Sequence, residues 1–209
     1  MCFLFIRPQG NTLFHVDSSI NPRRASYSLL RAAELPPPGT LGGSTAFADS
    51  RSAFDALPEA LKTQLLANDY VAAHSLWQSR KLASPHAFRD VDPEEHYMAR
   101  HRLVQRHEAS GRLNLYIAAH VHHVEGLGGA ESKVLVERLL AHATQERFVL
   151  SVEWRDVGDL VVWDNTCVLH RAVPVEGMFR RDMRRATVHD GSSTAWGLNE
   201  KSDFRQGLP

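Results

Sequence analysis

Little in this sequence points to a disulfide scaffold, a membrane or a nucleic acid. Only Cys2 and Cys167 are cysteines among 209 residues. That implies no disulfide framework and makes a reducing compartment, the cytosol, the expected setting. The apolar CFLFI at residues 2–6 falls far short of the roughly 18 residues of a membrane span. It also lacks the preceding basic residue and following small-residue cleavage site of a secretory signal. Lys+Arg and Asp+Glu are both 24, for zero formal charge, which argues against general nucleic-acid binding. One local basic cluster remains, FRRDMRR at residues 179–185. There is no internal repeat, no low-complexity tract and no glycine-rich phosphate loop after a strand.

What is present suits a soluble globular chain, with 43% hydrophobic and 23% charged residues. The length is enough for one well-buried domain, residues 1–209, and short for two. ASYSLLRAAEL (25–35) reads as a strand and ELPPPGTLGG (34–43) as a loop, since its prolines and glycines cannot continue an element. STAFAD (44–49) reads as a short strand, with Asp49 or Ser50 capping the helix that follows. A second helix is predicted over 57–69, with Pro58 in its first turn. Strand character follows at 69–77, an irregular loop at 79–96, and two strands turning at Ser110-Gly111 within 102–120. The clearest helix is AESKVLVERLLAHATQ (130–145), followed by strands at 148–154, 158–165 and 184–190. Many strands with a few helices and no regular βαβ alternation suit a mainly β sandwich or jelly roll decorated by helices.

LFHVDSS (13–19) places His15 and Asp17 two residues apart. On a strand they would share one face, with Val16 on the other. Alone this is weak, because a surface His/Asp pair arises often by chance. VVWDNTCVLHRAVP (161–174) adds His170 just past an apolar strand. Two histidines and one carboxylate on a β scaffold match the facial triad that holds Fe(II) and leaves positions open for an oxidant and a co-substrate. Arg181 follows His170 by 11 residues, enough for a turn and a returning strand. Its planar fork suits one end of a dicarboxylate. Arg185 would share its face, so a second anion could be gripped beside the first. HVHH (120–123) reads as a loop that faces solvent or lines a pocket and lacks a carboxylate at useful spacing. Cys167 reads as a buried small hydrophobe, His74 as structural, Trp154 as core, and Trp163 as core beside the metal pocket.

The segments NTLFHVDSS, GGSTAFADSRSAFDALP, HSLWQSR, LYIAAH, LLAHATQERFVLSVEWRDVGDLVVWDNTCVLHRAVP and RRDMRRATVHD carry a resemblance. In order, over residues 11–190, they resemble the taurine / 2,4-dichlorophenoxyacetate type of Fe(II)- and 2-oxoglutarate-dependent dioxygenases. HSLWQSR leans to the phenoxyacetate branch. The resemblance implies a double-stranded β-helix (jelly roll) with His15, Asp17 and His170 as iron ligands. Thr45 and Arg181 would hold 2-oxoglutarate, and Asn11 and Arg185 the substrate. Ser79, Arg80 and Val121 fall where substrate-facing residues lie. O₂ and a small anionic organic substrate (aryloxyacetate-, sulfonate- or sulfate-like) would be the partners, with succinate and CO₂ released. Residues 1–10, MCFLFIRPQG, depart from the family, and only 14 residues precede His15. The expectation is an N-terminally truncated jelly roll with an incomplete sheet, unstable, poorly soluble or homo-oligomeric when alone. The alternative from a different class is a catalytically impaired remnant with a binding or regulatory role. A third is a metal-dependent hydrolase using the same donors, which would not need Arg181.

Overall fold

The computed structural model describes residues 9–177 and 179–206. Cys2, the CFLFI segment and most of the atypical 1–10 stretch lie outside the described residues. The chain enters through a 3₁₀ turn, Gln9–Thr12, and passes to strand β1, Ala25–Glu34. Strand β2 (Thr45–Asp49) leads into helices α1 (Ser50–Asp55) and α2 (Glu59–Asn68). Strand β3 (Val71–His74) and helix α3 (Leu76–Ala83) follow. Next come β4 (Ala99–Arg102), β5 (Val104–Arg106), β6 (Leu113–Leu115) and β7 (Val121–Val124). Helix α4 (Gly129–Ala143) precedes β8 (Val149–Val152), β9 (Leu160–Asp164), β10 (Val168–Ala172) and β11 (Asp182–His189).

The strands form three-stranded sheets in the orders β11-β1-β9, β10-β2-β8 and β4-β3-β7, with β5 and β6 as a pair. All the pairings are antiparallel. The first two sheets face each other. Trp163 on β9 reaches Phe47 on β2, ring centroids 5.4 Å apart, and His170 on β10 at 4.6 Å. In β1, Ser28 and Leu30 point into this space while Tyr27, Leu29 and Arg31 point out. The outward face carries exposed Tyr27, Leu160, Val162 and Val188.

The elements form for local reasons. Asp49 caps α1, its carboxylate accepting from the Arg51 backbone N–H at 3.0 Å. Leu61 and Leu65 of α2 and Leu135 and Leu139 of α4, spaced four apart, enter one apolar core with Val16, Ile117 and Leu169. Burying each such side chain contributes about 1.5–3 kcal/mol. His74 is fully buried against His101 and Tyr116, as a structural histidine. Among the described residues no helix is long and apolar enough to cross a membrane.

Five local elements differ from the sequence expectation. Residues 76–83 are helical, not strand then loop, because Ser75 is an N-cap whose hydroxyl accepts from the Gln78 N–H. HVHH is not a loop: Val121–Val124 pairs with β3. Residues 99–102 form a strand whose alternating burial the sequence reading passed over. His170 lies inside β10, the turn after β9 ending before it, so the apolar run is two strands rather than one. Pro58 precedes α2 as its cap residue.

Candidate metal and anion site

His15 and Asp17 reach their common point without a regular strand. His15 makes a single bridge to His170, with backbone N–H···O bonds of 2.9 and 2.8 Å in the two directions. Asp17 begins the turn that follows. The alternation survives: Val16 is buried in the apolar core while His15 and Asp17 face the opposite way. His170 is held in β10 opposite Phe47 of β2. One donor atom from each of His15, Asp17 and His170 falls within 4.8 Å of the other two.

The orientations within this cluster are specific. His15 Nδ1 donates to the Leu13 carbonyl at 2.7 Å, leaving the Nε2 lone pair aimed at Asp17 Oδ1, 4.0 Å away. His170 Nε2 lies 3.8 Å from Asp17 Oδ2. Metal–ligand bonds of about 2.1 Å allow two donors of one ion to stand up to about 4.2 Å apart, and both pairs fall inside that limit. Burial lowers the pKa of both histidines, helped at His170 by the charges of His15 and Arg185. Both rings are therefore held neutral, the form that ligates. The donor set fits a divalent cation of the iron type.

Asp17 is oriented by Ser28 and Asn165, which the sequence does not single out, and by Arg185, expected at the substrate. Ser28 Oγ donates to Oδ2 at 2.6 Å, and Arg185 Nη1 donates to Oδ1 at 2.6 Å. Asn165 Oδ1 accepts from the Asp17 backbone N–H at 2.9 Å, and its amide donates to Ser28 Oγ at 2.9 Å. Trp163 Nε1 donates to the same Asn165 oxygen. No local pattern marks Ser28 or Asn165, which lie 11 and 148 residues from Asp17.

Two cavities border the cluster and share Asn11, His15 and Arg185. One, about 320 Å³, is lined by Leu30, Thr45, Trp163, His170, Arg181 and Met183 among others. Thr45 is buried in β2, its hydroxyl accepting from Trp154 Nε1 at 3.1 Å. Trp154 is thus half-buried at this edge rather than in the core. Arg181 immediately precedes β11. Its Nη2 donates to the Gly43 carbonyl at 3.0 Å, and its buried Nε has no partner among the described residues. That orphan donor and the threonine hydroxyl make a cradle fitted to a carboxylate. The loop holding Gly43 is seated through Gly42, where φ is +78° and a Cβ would lie 1.9 Å from the Pro174 carbonyl oxygen.

The second cavity, about 530 Å³, is lined by Asp17, Ile20, Leu76, Ser79, Arg80, Phe88, His120 and Arg205 among others. Among the described residues Asp17 is its single carboxylate, and Arg80, Arg185 and Arg205 line it too, Arg185 being the one bonded to Asp17. His120 Nδ1 meets Ser79 Oγ at 2.8 Å, and its ring stands 5.7 Å from that of His15. Burial and the nearby His15 push its pKa down to about 3. Ser79 and Arg80 therefore face the cavity. Val121 does not: it packs in the apolar core.

A mainly β fold with facing sheets, a buried His/Asp/His donor set and an adjoining arginine cradle is an arrangement whose chemistry fits a divalent metal beside a small organic anion. Comparison with known proteins gives the family. Residues 6–187 match the family described as "Taurine catabolism dioxygenase TauD, TfdA family". The chain is 43% identical over 181 residues to the alpha-ketoglutarate-dependent 2,4-dichlorophenoxyacetate dioxygenase of Cupriavidus pinatubonensis, covering 87% of this chain and 61% of that protein. It is 35% identical over 187 residues to the (S)-phenoxypropionate/alpha-ketoglutarate-dioxygenase of Sphingobium herbicidovorans, covering 86% of this chain and 63% of that protein. Among solved structures, AAD-2 in complex with Mn(II) and N-oxalylglycine superposes with a TM-score of 0.78 at 38% identity, over 88% of this chain and 71% of that one. The chain belongs to the TauD, TfdA family, and it spans about three-fifths of the length of these curated relatives.

Proposed function

We propose that this chain carries the active site of an Fe(II)- and 2-oxoglutarate-dependent dioxygenase acting on a small aryloxyalkanoate-like acid. The observation that carries the reading is the junction of two cavities at the His15/Asp17/His170 cluster, one ending in Thr45 and Arg181 and the other walled by arginines and apolar side chains. His15, Asp17 and His170 would hold the iron. When bound with 2-oxoglutarate, it supplies the oxidation: O₂ is consumed, 2-oxoglutarate becomes succinate and CO₂, and a substrate C–H becomes C–OH.

The chain's own residues bind and orient. Arg181 and Thr45 receive the far carboxylate of 2-oxoglutarate, the guanidinium giving two parallel donors where a lysine gives one point charge. Trp163 and Leu30 give the same cavity an apolar wall. Asn11 and Arg185 border both cavities and face the substrate's acid group, while Ile20, Leu76 and Phe88 offer apolar contact for an aryl ring. The aryloxyalkanoate names of the relatives agree with a cavity whose arginines outnumber its carboxylates.

The test is succinate release from an aryloxyacetate, sulfonate and alkyl-sulfate panel, paired with Arg181→Lys. Losing one charge-assisted hydrogen bond of about 1.5–3 kcal/mol should weaken 2-oxoglutarate binding by roughly 10- to 150-fold. Unchanged binding would remove Arg181 from the site. One observation favours the second reading, a non-enzymatic remnant: the outward face of β11-β1-β9 leaves Tyr27, Leu160, Val162 and Val188 exposed. Metal and 2-oxoglutarate binding without succinate release across the panel would support that reading.

A further inference from the structure

Arg185 stands where two demands compete for it. Its Nη1 donates to Asp17 Oδ1 at 2.6 Å, and Asp17 is buried with 6% of its surface exposed. The same guanidinium borders both cavities, and its charge acts on His15 and His170. It is the one cation in hydrogen-bond contact with the three-donor cluster among the described residues. A buried carboxylate without a partner is costly, and a cationic partner offsets that cost. A divalent cation among His15, Asp17 and His170 offsets it as well. The two cannot do so together without cation–cation repulsion at short range.

We infer that Arg185 is an exchange residue. It neutralises Asp17 in the metal-free protein, is displaced by the entering cation, and becomes an anion receptor for the organic acid only once displaced. This rests on the reading of His15, Asp17 and His170 as cation donors. Three features make the exchange feasible. Ser28 Oγ holds the other oxygen of Asp17 at 2.6 Å, and Asn165 holds its backbone N–H, so the carboxylate stays aimed when the arginine leaves. The Arg185 side chain is 46% exposed, on β11 at the open edge of its sheet, so it has room to move. Among the described residues lining the 530 Å³ cavity it swings along, Asp17 is the one carboxylate. The consequence is thermodynamic: cation and organic anion bind with positive coupling, and by linkage each raises the affinity for the other by the same factor.

The experiment uses Mn(II), which binds without turnover, and phenoxyacetate as the anion probe. Mn(II) affinity is read from loss of the free-ion electron paramagnetic resonance signal, and phenoxyacetate affinity by calorimetry with and without Mn(II). Arg185→Gln should bind Mn(II) about tenfold more tightly than the unaltered chain, within the range typical of coupled sites. Arg184→Gln removes the same charge from the outward face of β11 and should leave Mn(II) affinity unchanged. In the unaltered chain, Mn(II) should raise phenoxyacetate affinity by about tenfold, and in Arg185→Gln that coupling should be lost.

His170-dependent Mn(II) binding that is equal or weaker in Arg185→Gln would overturn the exchange and leave the metal site standing. Tighter Mn(II) binding with coupling as large as in the unaltered chain would also overturn it, leaving Arg185 as a mere repelling charge. Mn(II) binding that is absent, or that survives His170→Ala, would overturn the metal reading and the exchange with it. If Arg185→Gln fails to fold, the coupling in the unaltered chain still decides, and Arg185→Lys should give a reduced coupling factor.

Discussion

His15, Asp17 and His170 bring three donor atoms within 4.8 Å of one another, and His107, Asp164 and Cys167 do the same. By proximity the two clusters are equal. In the hydrogen bonding of their histidines they are opposites. In the second, His107 Nδ1 meets Ser110 Oγ at 2.7 Å and Nε2 meets Asp164 Oδ2 at 3.1 Å, so both ring nitrogens are used. Asp164 Oδ1 accepts from the Thr166 N–H at 2.8 Å and from its hydroxyl at 2.6 Å. Burial and Asp164 push the Cys167 thiol up to about 12, which keeps it protonated and a poor ligand. In the first cluster each imidazole keeps Nε2 aimed at a carboxylate 3.8–4.0 Å away, too far for a hydrogen bond and close enough for a shared ion. The lesson is that a metal site is marked by lone pairs left unspent, more than by donors brought near.

The strongest way to break this contrast is to delete one donor from each cluster. His170→Ala should weaken Mn(II) binding by more than the roughly 10–100-fold typical of losing a supporting partner. His107→Ala should leave metal stoichiometry at one per chain. Elemental analysis after gel filtration reads both. If His107→Ala lost the metal and His170→Ala kept it, the assignment of the clusters would be reversed.

A smaller effect sharpens the first cluster. Ser28→Ala removes the hydroxyl that holds Asp17 Oδ2 and leaves every ligand in place. Mn(II) affinity should fall by about 10–100-fold, with the far-ultraviolet dichroism unchanged. An unaltered affinity would show that Asn165 and the turn at Asp17 orient the carboxylate without the serine.

In the second cluster the effect should be on stability. His107→Ala leaves the Asp164 oxygen without its donor and costs about 1–3 kcal/mol, read as a shift in the urea midpoint with or without metal. A metal-dependent shift would mean that His107 acts on the site after all.

The contrast also explains what the sequence could reveal. His15 and Asp17 were legible as a pair because alternation puts i and i+2 on one face whether the backbone makes a full strand or, as here, a single bridge; His170 was joined to them by the donor pattern and the family resemblance, not by local spacing. β1, β2, α4 and β11 were legible from periodicity and their caps. Helix α3 was not, since Ser75 as its N-cap sits inside an apolar stretch that also reads as strand. Nor were β4 and β7, which are four residues each and gain their order from pairing with β3, a long-range event that no local pattern announces. Ser28 and Asn165 were invisible for the same reason: their sequence separations from Asp17, 11 and 148 residues, are bridged only by the fold. The pairing of His107 with Asp164, 57 residues apart, explains why HEASGR looked like nothing more than a turn.

The smallest expected effect falls on Cys167, and it is the most exacting for the contrast. The thiol is 3% exposed and its weak contact is to the Asp164 carbonyl at 3.9 Å. If it is only a small buried hydrophobe, Cys167→Ala removes one sulfur atom's packing. The cost is then about 1 kcal/mol, the common size of a point substitution. Mn(II) stoichiometry, phenoxyacetate coupling and 2-oxoglutarate affinity should all stay as they are, because Cys167 ends the turn into β10 and anchors it through its backbone, its carbonyl accepting from the Ser50 N–H at 3.1 Å and the Ser50 hydroxyl at 2.8 Å, and alanine keeps that carbonyl. A thiolate-bound Co(II) charge-transfer band in the unaltered chain, lost in Cys167→Ala, would contradict this. It would show that burial and a protonated thiol do not suffice to keep a soft metal from the second cluster, and that both sets of donors are sites.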